Sequence, residues 1–186
     1  MRNWLFSGLA LAGLASTPAF AQSTPSPFDL HAGLVGKWTG ALGYRDYQTN
    51  KLFELPMKTE IQALPDKATV VRVSSYDDGP KTGIVYITSA SLYDAAKSTV
   101  SSAVLRKGRT VDTFQEALTV VAYTDPQHWI VRYESDGTDD NKPALLRTTE
   151  TRKGDTVTTV KEVNFKTDTP ARWVFRNQTR LTRNSN

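Results

Sequence analysis

Apolar and polar residues alternate with a period of two from Gly36 to Thr182, and this pattern constrains the fold more than any other feature. Successive side chains of a β-strand point to opposite faces, so the period predicts strands with one dry face. The alternating segments are 36–45, 53–62, 69–76, 81–93, 98–106, 109–123, 128–135, 144–152, 155–165 and 171–182. We therefore predict an all-β chain of about ten strands without a long crossover helix.

Short turns join most of these segments, as at Asp78-Gly79, a dipeptide typical of β-hairpins. Consecutive hairpins form a meander, and a meander of so many twisted strands has two exposed edges unless it closes. We therefore predict a single antiparallel up-and-down β-barrel over residues 28–183, with 184–186 as a tail.

The N-terminal segment differs in composition from the rest of the chain. Residues 1–21 combine one basic residue, Arg2, with an apolar stretch and the small-residue ending Ala19-Phe20-Ala21, which is typical of a cleaved secretory signal. The apolar stretch is shorter than a bilayer span requires. We expect cleavage after Ala21, a periplasmic or secreted protein, and a disordered lead-in over 22–27.

A short helical turn is predicted between the lead-in and the first strand. Ser26 is a good N-cap residue, Pro27 suits the first helical position, and Asp29 can return the capping bond. We expect this turn to continue through Leu34.

The chain contains no cysteine. This excludes a lipid anchor at the cleavage site, disulfides, thiolate metal sites and cysteine nucleophiles. No second long apolar stretch follows residues 1–21, so we expect no stable membrane insertion. The core must then stabilise the fold by itself.

The basic surplus of the chain is local. The formal net charge is +4, and it falls to +3 without residues 1–21, because Arg2 is the only charged residue there. Residues 171–186 contain four arginines and no acidic residue. Nucleic-acid binders instead spread basic residues over a face with stacking aromatics between them. We predict no nucleic-acid partner.

The opening strand, Leu34-Val35-Gly36-Lys37-Trp38-Thr39-Gly40-Ala41-Leu42-Gly43, resembles the first strand of the calycins: lipocalins, fatty-acid-binding proteins and avidins. The strand rhythm is also similar to that of the ten-stranded nitrobindin-type barrels. The resemblance implies that Gly36 and Trp38 close one end of the barrel. It also implies an arginine of the last strand, Arg176 or Arg180, stacked on the indole, and we assign this role to Arg180.

The same resemblance argues against two cofactors. Avidins hold biotin with further tryptophans, whose spacing the chain does not reproduce. Haem-binding barrels of the nitrobindin kind use a histidine near the end of the chain, and the last strand here has none. We predict no cofactor.

The sequence contains no recognisable catalytic or metal-binding constellation. His31 and His128 are the only histidines, without a second imidazole at ligand spacing or an evident acidic partner. The acidic loop beginning at Asp136 departs from a calcium loop, because Arg147 stands where a bidentate glutamate belongs. We assign no catalytic residue and no metal ligand, which favours a binding protein over an enzyme.

Aromatic and apolar residues on inward faces, together with one arginine of the last strand, form the candidate ligand site. They are Tyr44, Phe53, Met57, Trp129, Tyr133 and Arg176. The alternation leaves open whether the last-strand arginines line the exterior or one of them points inward. An inward arginine needs an anionic partner, either Glu116, Glu150 or a ligand carboxylate, because an unpaired buried charge is costly.

Three functions agree with this pattern. The favoured one is an exported barrel that binds a small apolar or amphipathic molecule, because a ten-stranded barrel encloses more room than an eight-stranded one. The alternative is a non-enzymatic periplasmic scaffold or protein-interaction barrel whose core is filled by its own side chains. The third is a barrel enzyme or a haem binder. Oligomeric state is left open by the sequence.

Overall fold

The computed structural model describes residues 25–45, 49 and 51–185; the predicted secretory signal lies outside these residues. Within them, antiparallel strands follow one another along the chain and close into one barrel. The strands are β1 (Gly36–Arg45), β2 (Leu52–Ala63), β3 (Thr69–Asp77), β4 (Ile84–Asp94), β5 (Thr99–Arg106), β6 (Asp112–Asp125), β7 (His128–Asp139), β8 (Lys142–Lys153), β9 (Thr156–Phe165) and β10 (Val174–Arg183). The predicted ten-stranded up-and-down barrel is confirmed.

Closure is made by the pairing of the first strand with the last. Trp38 lies opposite Arg183 and Tyr44 opposite Asn177 in the β1–β10 ladder. A β-bulge in β10 between Phe175 and Asn177 adds a residue to this strand. All ten strands are therefore paired on both sides, and the barrel has no sheet edge.

Helix α1 (Pro27–Ala32) precedes the barrel and packs against β2 and β3. Its predicted start is confirmed: the Ser26 hydroxyl accepts a hydrogen bond from the Asp29 amide at 3.2 Å, and Pro27 opens the helix. The Asp29 carboxylate accepts from the Ser26 hydroxyl instead of capping the backbone. The helix ends at Ala32 with Gly33 as its C-cap, two residues before the predicted end at Leu34.

A second helical turn, α2 (Gly79–Thr82), lies between β3 and β4. The Asp78-Gly79 dipeptide does join two paired strands, but through this turn and not through a two-residue loop. Gly79 and Gly83 have φ values of 77° and 76°, a region that favours glycine. Across the described residues, neither helix has the length and apolar character needed to cross a bilayer.

The apolar core occupies the end of the barrel against which α1 packs, which we term the closed end. It contains Leu30, Leu34, Trp38, Ile61, Val70, Trp129, Val131, Val157 and Leu181. At the other end, the inward-facing Tyr44 and Phe53 are 36% and 58% exposed. The described side chains at this second end, which we term the open end, are therefore accessible to solvent.

Trp38 lies at the centre of the closed end and is 1% exposed. Its indole Nε1 donates to the Leu34 carbonyl at 2.8 Å. The guanidinium of Arg183 lies 4.4 Å from the ring centroid and donates to the carbonyls of Val35 and Gly33 at 2.7 and 2.9 Å. One cation therefore ties the indole to the chain that enters the barrel.

The cation over Trp38 is Arg183 and not the predicted Arg180. Arg180 lies three residues earlier, so it has the opposite strand parity, and it is exposed opposite Ala41. Gly36 does belong to the closed end. Its φ is 128°, a conformation that favours glycine, and a Cβ there would lie 3.0 Å from Arg183 Nη1 and press on the guanidinium over Trp38.

We expect Trp38→Ala to lower the free energy of unfolding by about 3–5 kcal/mol, because it removes a fully buried indole and leaves a cavity. Chemical denaturation measures this difference. Tyr86→Ala is the matched control, because Tyr86 is 63% exposed on the outer face and should cost less than about 1 kcal/mol. Equal effects of the two substitutions would contradict a closing role for Trp38.

Candidate functional site in the barrel interior

A cavity of about 280 Å³ lies inside the barrel above the apolar core, and inward-facing side chains of β3 to β9 line it. Hydroxyl groups dominate its walls, including those of Ser89, Ser102, Thr148 and Thr159. Apolar contacts come from Val100, Val104 and Phe114. The cavity is therefore amphipathic, and it is much more polar than the aromatic lining that the sequence predicts.

A buried ion pair crosses the barrel at the base of this cavity. Arg72 of β3 donates two hydrogen bonds to Glu150 of β8, at 2.8 and 3.0 Å. Glu150 is 2% exposed, and Thr159 Oγ1 donates to it at 3.4 Å. The two-point geometry satisfies both charged groups at once, which a buried pair requires.

His31 of α1 reaches the same carboxylate from below and has no solvent exposure. Its Nδ1 donates to the Pro27 carbonyl at 2.6 Å. Its Nε2 lies 3.1 Å from Glu150 Oε1 and 2.5 Å from the Tyr133 hydroxyl. The ring also stacks on Tyr93 at a centroid distance of 4.8 Å. We term Arg72, Glu150, His31 and Tyr133 the polar floor, which joins α1 to two walls of the barrel.

The ionisation of these groups follows from burial and from the charge of Arg72. Burial alone would raise the pKa of Glu150, but the charge of Arg72 and the contact with His31 hold that pKa well below its usual range. Burial raises the pKa of Tyr93 to about 12 and raises the pKa of Tyr133 well above that of a free tyrosine. At neutral pH the floor therefore holds an ionised carboxylate beside neutral tyrosines.

Two further charged groups line the cavity above the floor, Glu116 of β6 and Lys161 of β9. Burial raises the pKa of Glu116, and the charge of Lys161 opposes this rise. In the described part of the chain, neither side chain makes a hydrogen bond or an ion pair, and they do not approach each other within 4 Å. These two charges differ in this respect from the paired charges of the floor.

The structure separates the six residues that the sequence groups as ligand-binding. Tyr133 lines the cavity. Met57 and Trp129 are buried in the apolar core, where Trp129 Nε1 donates to the Pro126 carbonyl at 3.2 Å. Tyr44 and Phe53 lie at the open end. Their roles in binding stay predictions.

Arg176, the sixth residue, forms an ion pair with Asp139 and lies 5.4 Å from the Phe165 ring. This carboxylate is not one of the partners that the sequence suggests for an inward arginine. Glu150, which is one of them, pairs with Arg72 of β3 and not with an arginine of the last strand.

Sequence reasoning missed Arg72, Tyr93 and the acidic partners of both histidines. Arg72 did leave a signal, because it has the same strand parity as Val70, which marks it as inward-facing. The partner of His31 left no local signal, because Glu150 lies in a distant part of the chain. Asp125 did leave one, because it precedes the exposed His128 by three residues and lies 2.9 Å from it. Across residues 25–45, 49 and 51–185, no three acidic or histidine side chains form a metal-binding group.

We expect Glu150→Gln to remove most of the pH dependence that the polar floor contributes between pH 5 and 2. The folded-state pKa of Glu150 is depressed, so its ionised form stabilises the fold above the unfolded pKa of about 4.3, and this contribution is lost as the pH falls. At pH 7 the substitution should cost about 3 kcal/mol, the lower end for breaking a buried pair, because Arg72 is a quarter exposed.

Urea denaturation of wild-type protein and variant from pH 7 to pH 2.5 measures this difference, which should shrink as the pH falls. Glu54→Gln, on the exposed face of β2, is the control and should leave the wild-type profile unchanged. A constant difference between wild type and Glu150→Gln at all pH values would contradict the assigned ionisation.

Comparison with known proteins supports the fold alone. No family model matches the chain, and no curated protein matches it. Among solved structures, the chain is similar to Rv2717c from M. tuberculosis, with a TM-score of 0.54 and 13% sequence identity over 83% of this chain and 94% of that one. The calycin resemblance of β1 stays a prediction, and the shared feature that the comparison shows is the barrel.

Proposed function

We propose that this protein is a non-enzymatic binding protein that holds a small molecule inside its β-barrel. The observation that carries this proposal is the interior cavity of about 280 Å³ with two charged groups that lack a partner within the described residues. Binding sites are concave and combine apolar walls with a few polar groups, and this volume is near the lower end of their range. It equals the liquid volume of roughly nine water molecules.

The lining favours a compact amphipathic ligand over a long apolar chain. A fully apolar molecule would displace water from Glu116, Lys161 and the serine and threonine hydroxyls without replacing their hydrogen bonds. Each unsatisfied polar group would then cost about 1–3 kcal/mol. Of the two ligand types that the sequence predicts, the amphipathic one is therefore the better supported.

The polar floor favours a structural role over a catalytic one. Arg72 and Glu150 satisfy each other, and His31 is held at both ring nitrogens. A general base must be free to reach a proton on the substrate. These groups instead fix α1 against the barrel and define the base of the cavity.

We expect wild-type protein purified from its native source to retain a small molecule in native mass spectrometry, and Ser89→Phe to lose it. Ser89 lines the cavity opposite Arg72, so an aromatic ring there occupies the ligand volume. Thr88→Phe is the matched control, because the adjacent side chain points to the outer face beside the exposed Val73.

Circular dichroism would establish that both variants keep the fold. A bound molecule retained equally by wild type and by Ser89→Phe would place binding outside the cavity. Absence of any retained molecule from wild-type protein would contradict the proposed function.

We also propose that the protein is exported and that residues 1–21 are removed, which rests on their basic, apolar and small-residue order. N-terminal sequencing of protein recovered from the exported fraction should begin at Gln22. Intact Met1 on membrane-bound protein would contradict export with cleavage.

A further inference from the structure

The two charged groups above the polar floor have opposite signs and face the same space. Glu116 belongs to β6 and Lys161 to β9, and both line the cavity. Their strands are three apart in the barrel, which is about 14 Å along the curved wall at the usual strand spacing. The charge of Lys161 still influences Glu116, although the two side chains are not within 4 Å. One small molecule between them would contact both.

The charges of the polar floor are already matched, and the buried Arg152 donates to three backbone carbonyls at the closed end. Arg72 donates both of its terminal nitrogens to Glu150, at 2.8 and 3.0 Å. This pairing balances the charge of Arg72 with a carboxylate that is 2% exposed and in contact with His31. Charge recognition therefore falls to Glu116 and Lys161.

We propose that the ligand is a small zwitterion with a primary ammonium against Glu116 and a carboxylate against Lys161, joined by a short apolar linker. This inference rests on the proposed function and names its ligand class. A simple anion would pair with Lys161 but repel Glu116, and a simple cation would do the reverse. A neutral molecule would remove water from the partly buried Glu116 without replacing it, and would make no ion pair with the exposed Lys161.

The remaining lining suits the linker of such a molecule. Phe114 is on the same strand as Glu116, two residues away, and faces the same side. Val100 lies directly opposite Glu116, and both residues line the cavity. Methylene groups of the linker would be removed from water against these side chains, which favours binding.

Isothermal titration calorimetry with four six-carbon probes tests the inference: 6-aminohexanoate, hexanoate, hexylamine and hexan-1-ol. We expect 6-aminohexanoate to bind at least 10-fold more tightly than each of the others. Equal affinities for 6-aminohexanoate and hexanoate, or no binding of 6-aminohexanoate at millimolar concentration, would overturn the inference.

Single variants identify which residue contacts the ammonium of 6-aminohexanoate and which contacts its carboxylate. Glu116→Gln should weaken 6-aminohexanoate at least 10-fold and leave hexanoate unchanged or tighter. Lys161→Gln should weaken 6-aminohexanoate and hexanoate but not hexylamine. Glu134→Gln is the control, because Glu134 pairs with Ala117 on the outward face between β6 and β7, and it should change none of these affinities.

Exchanging the charges of Glu116 and Lys161 distinguishes direct recognition of the ligand from a structural role of these two residues. The double variant Glu116→Lys with Lys161→Glu should recover most of the 6-aminohexanoate affinity that either single exchange removes, because the zwitterion binds in the reverse direction. Failure of this recovery in a folded double variant would overturn the assignment of the two charges.

Proton release gives a second readout. Burial raises the pKa of Glu116, and an adjacent ammonium would lower it again, so binding near pH 5 should release protons. The observed heat would then depend more strongly on the buffer in wild-type protein than in Glu116→Gln, where only the ligand carboxyl group can release a proton. The same buffer dependence in both proteins would contradict contact between the ammonium and Glu116.

The outcomes also distinguish this inference from the proposed function. If hexan-1-ol binds as tightly as 6-aminohexanoate, or the retained molecule has no ammonium, and Ser89→Phe blocks this binding, the cavity binds ligands and the zwitterion inference alone fails. If no probe binds and native mass spectrometry finds no retained molecule, both fail together.

Discussion

The ion pair between Arg72 and Glu150 is the interaction on which the interior of this barrel depends. It joins β3 to β8 across the lumen, and its carboxylate also meets His31 of α1. Two charges taken from water are tolerated only when each is fully satisfied, so their positions leave little freedom to the strands and the helix around them. One carboxylate therefore sets how α1 lies in the closed end and where the apolar core stops.

The cavity is a consequence of that boundary. Below the pair, Trp38, Leu34 and Trp129 exclude water from the closed end. Above it, the inward positions change to serine, threonine, Glu116 and Lys161, which do not form a dry core and leave the space open. A barrel of ten strands is wide enough for side chains to leave a lumen unfilled, which fits the ligand-binding function that we propose.

Much of the fold was predictable because strand period and turn residues are local properties. The alternation predicted the number and order of strands, and Ser26 with Pro27 predicted the start of α1. The stacked cation was misplaced at Arg180 because arginines recur along β10 and the register of β1 with β10 decides which one reaches Trp38. The candidate site was predicted poorly. The alternation shows which side chains face inward, but it does not show where along the barrel axis each of them lies. That position places Tyr133 at the cavity, Met57 in the apolar core and Phe53 at the open end.

The sequence by itself determined an all-β chain, its meander connectivity and the glycine and tryptophan of the first strand, because these follow from periods and conformations within a few residues. Only the tertiary structure decided that Arg72 and His31 converge on Glu150, and that Glu116 and Lys161 face one cavity. The physical reason is that barrel closure brings together strands far apart in the chain. Strand tilt and register, which no local pattern encodes, select the side chains that meet.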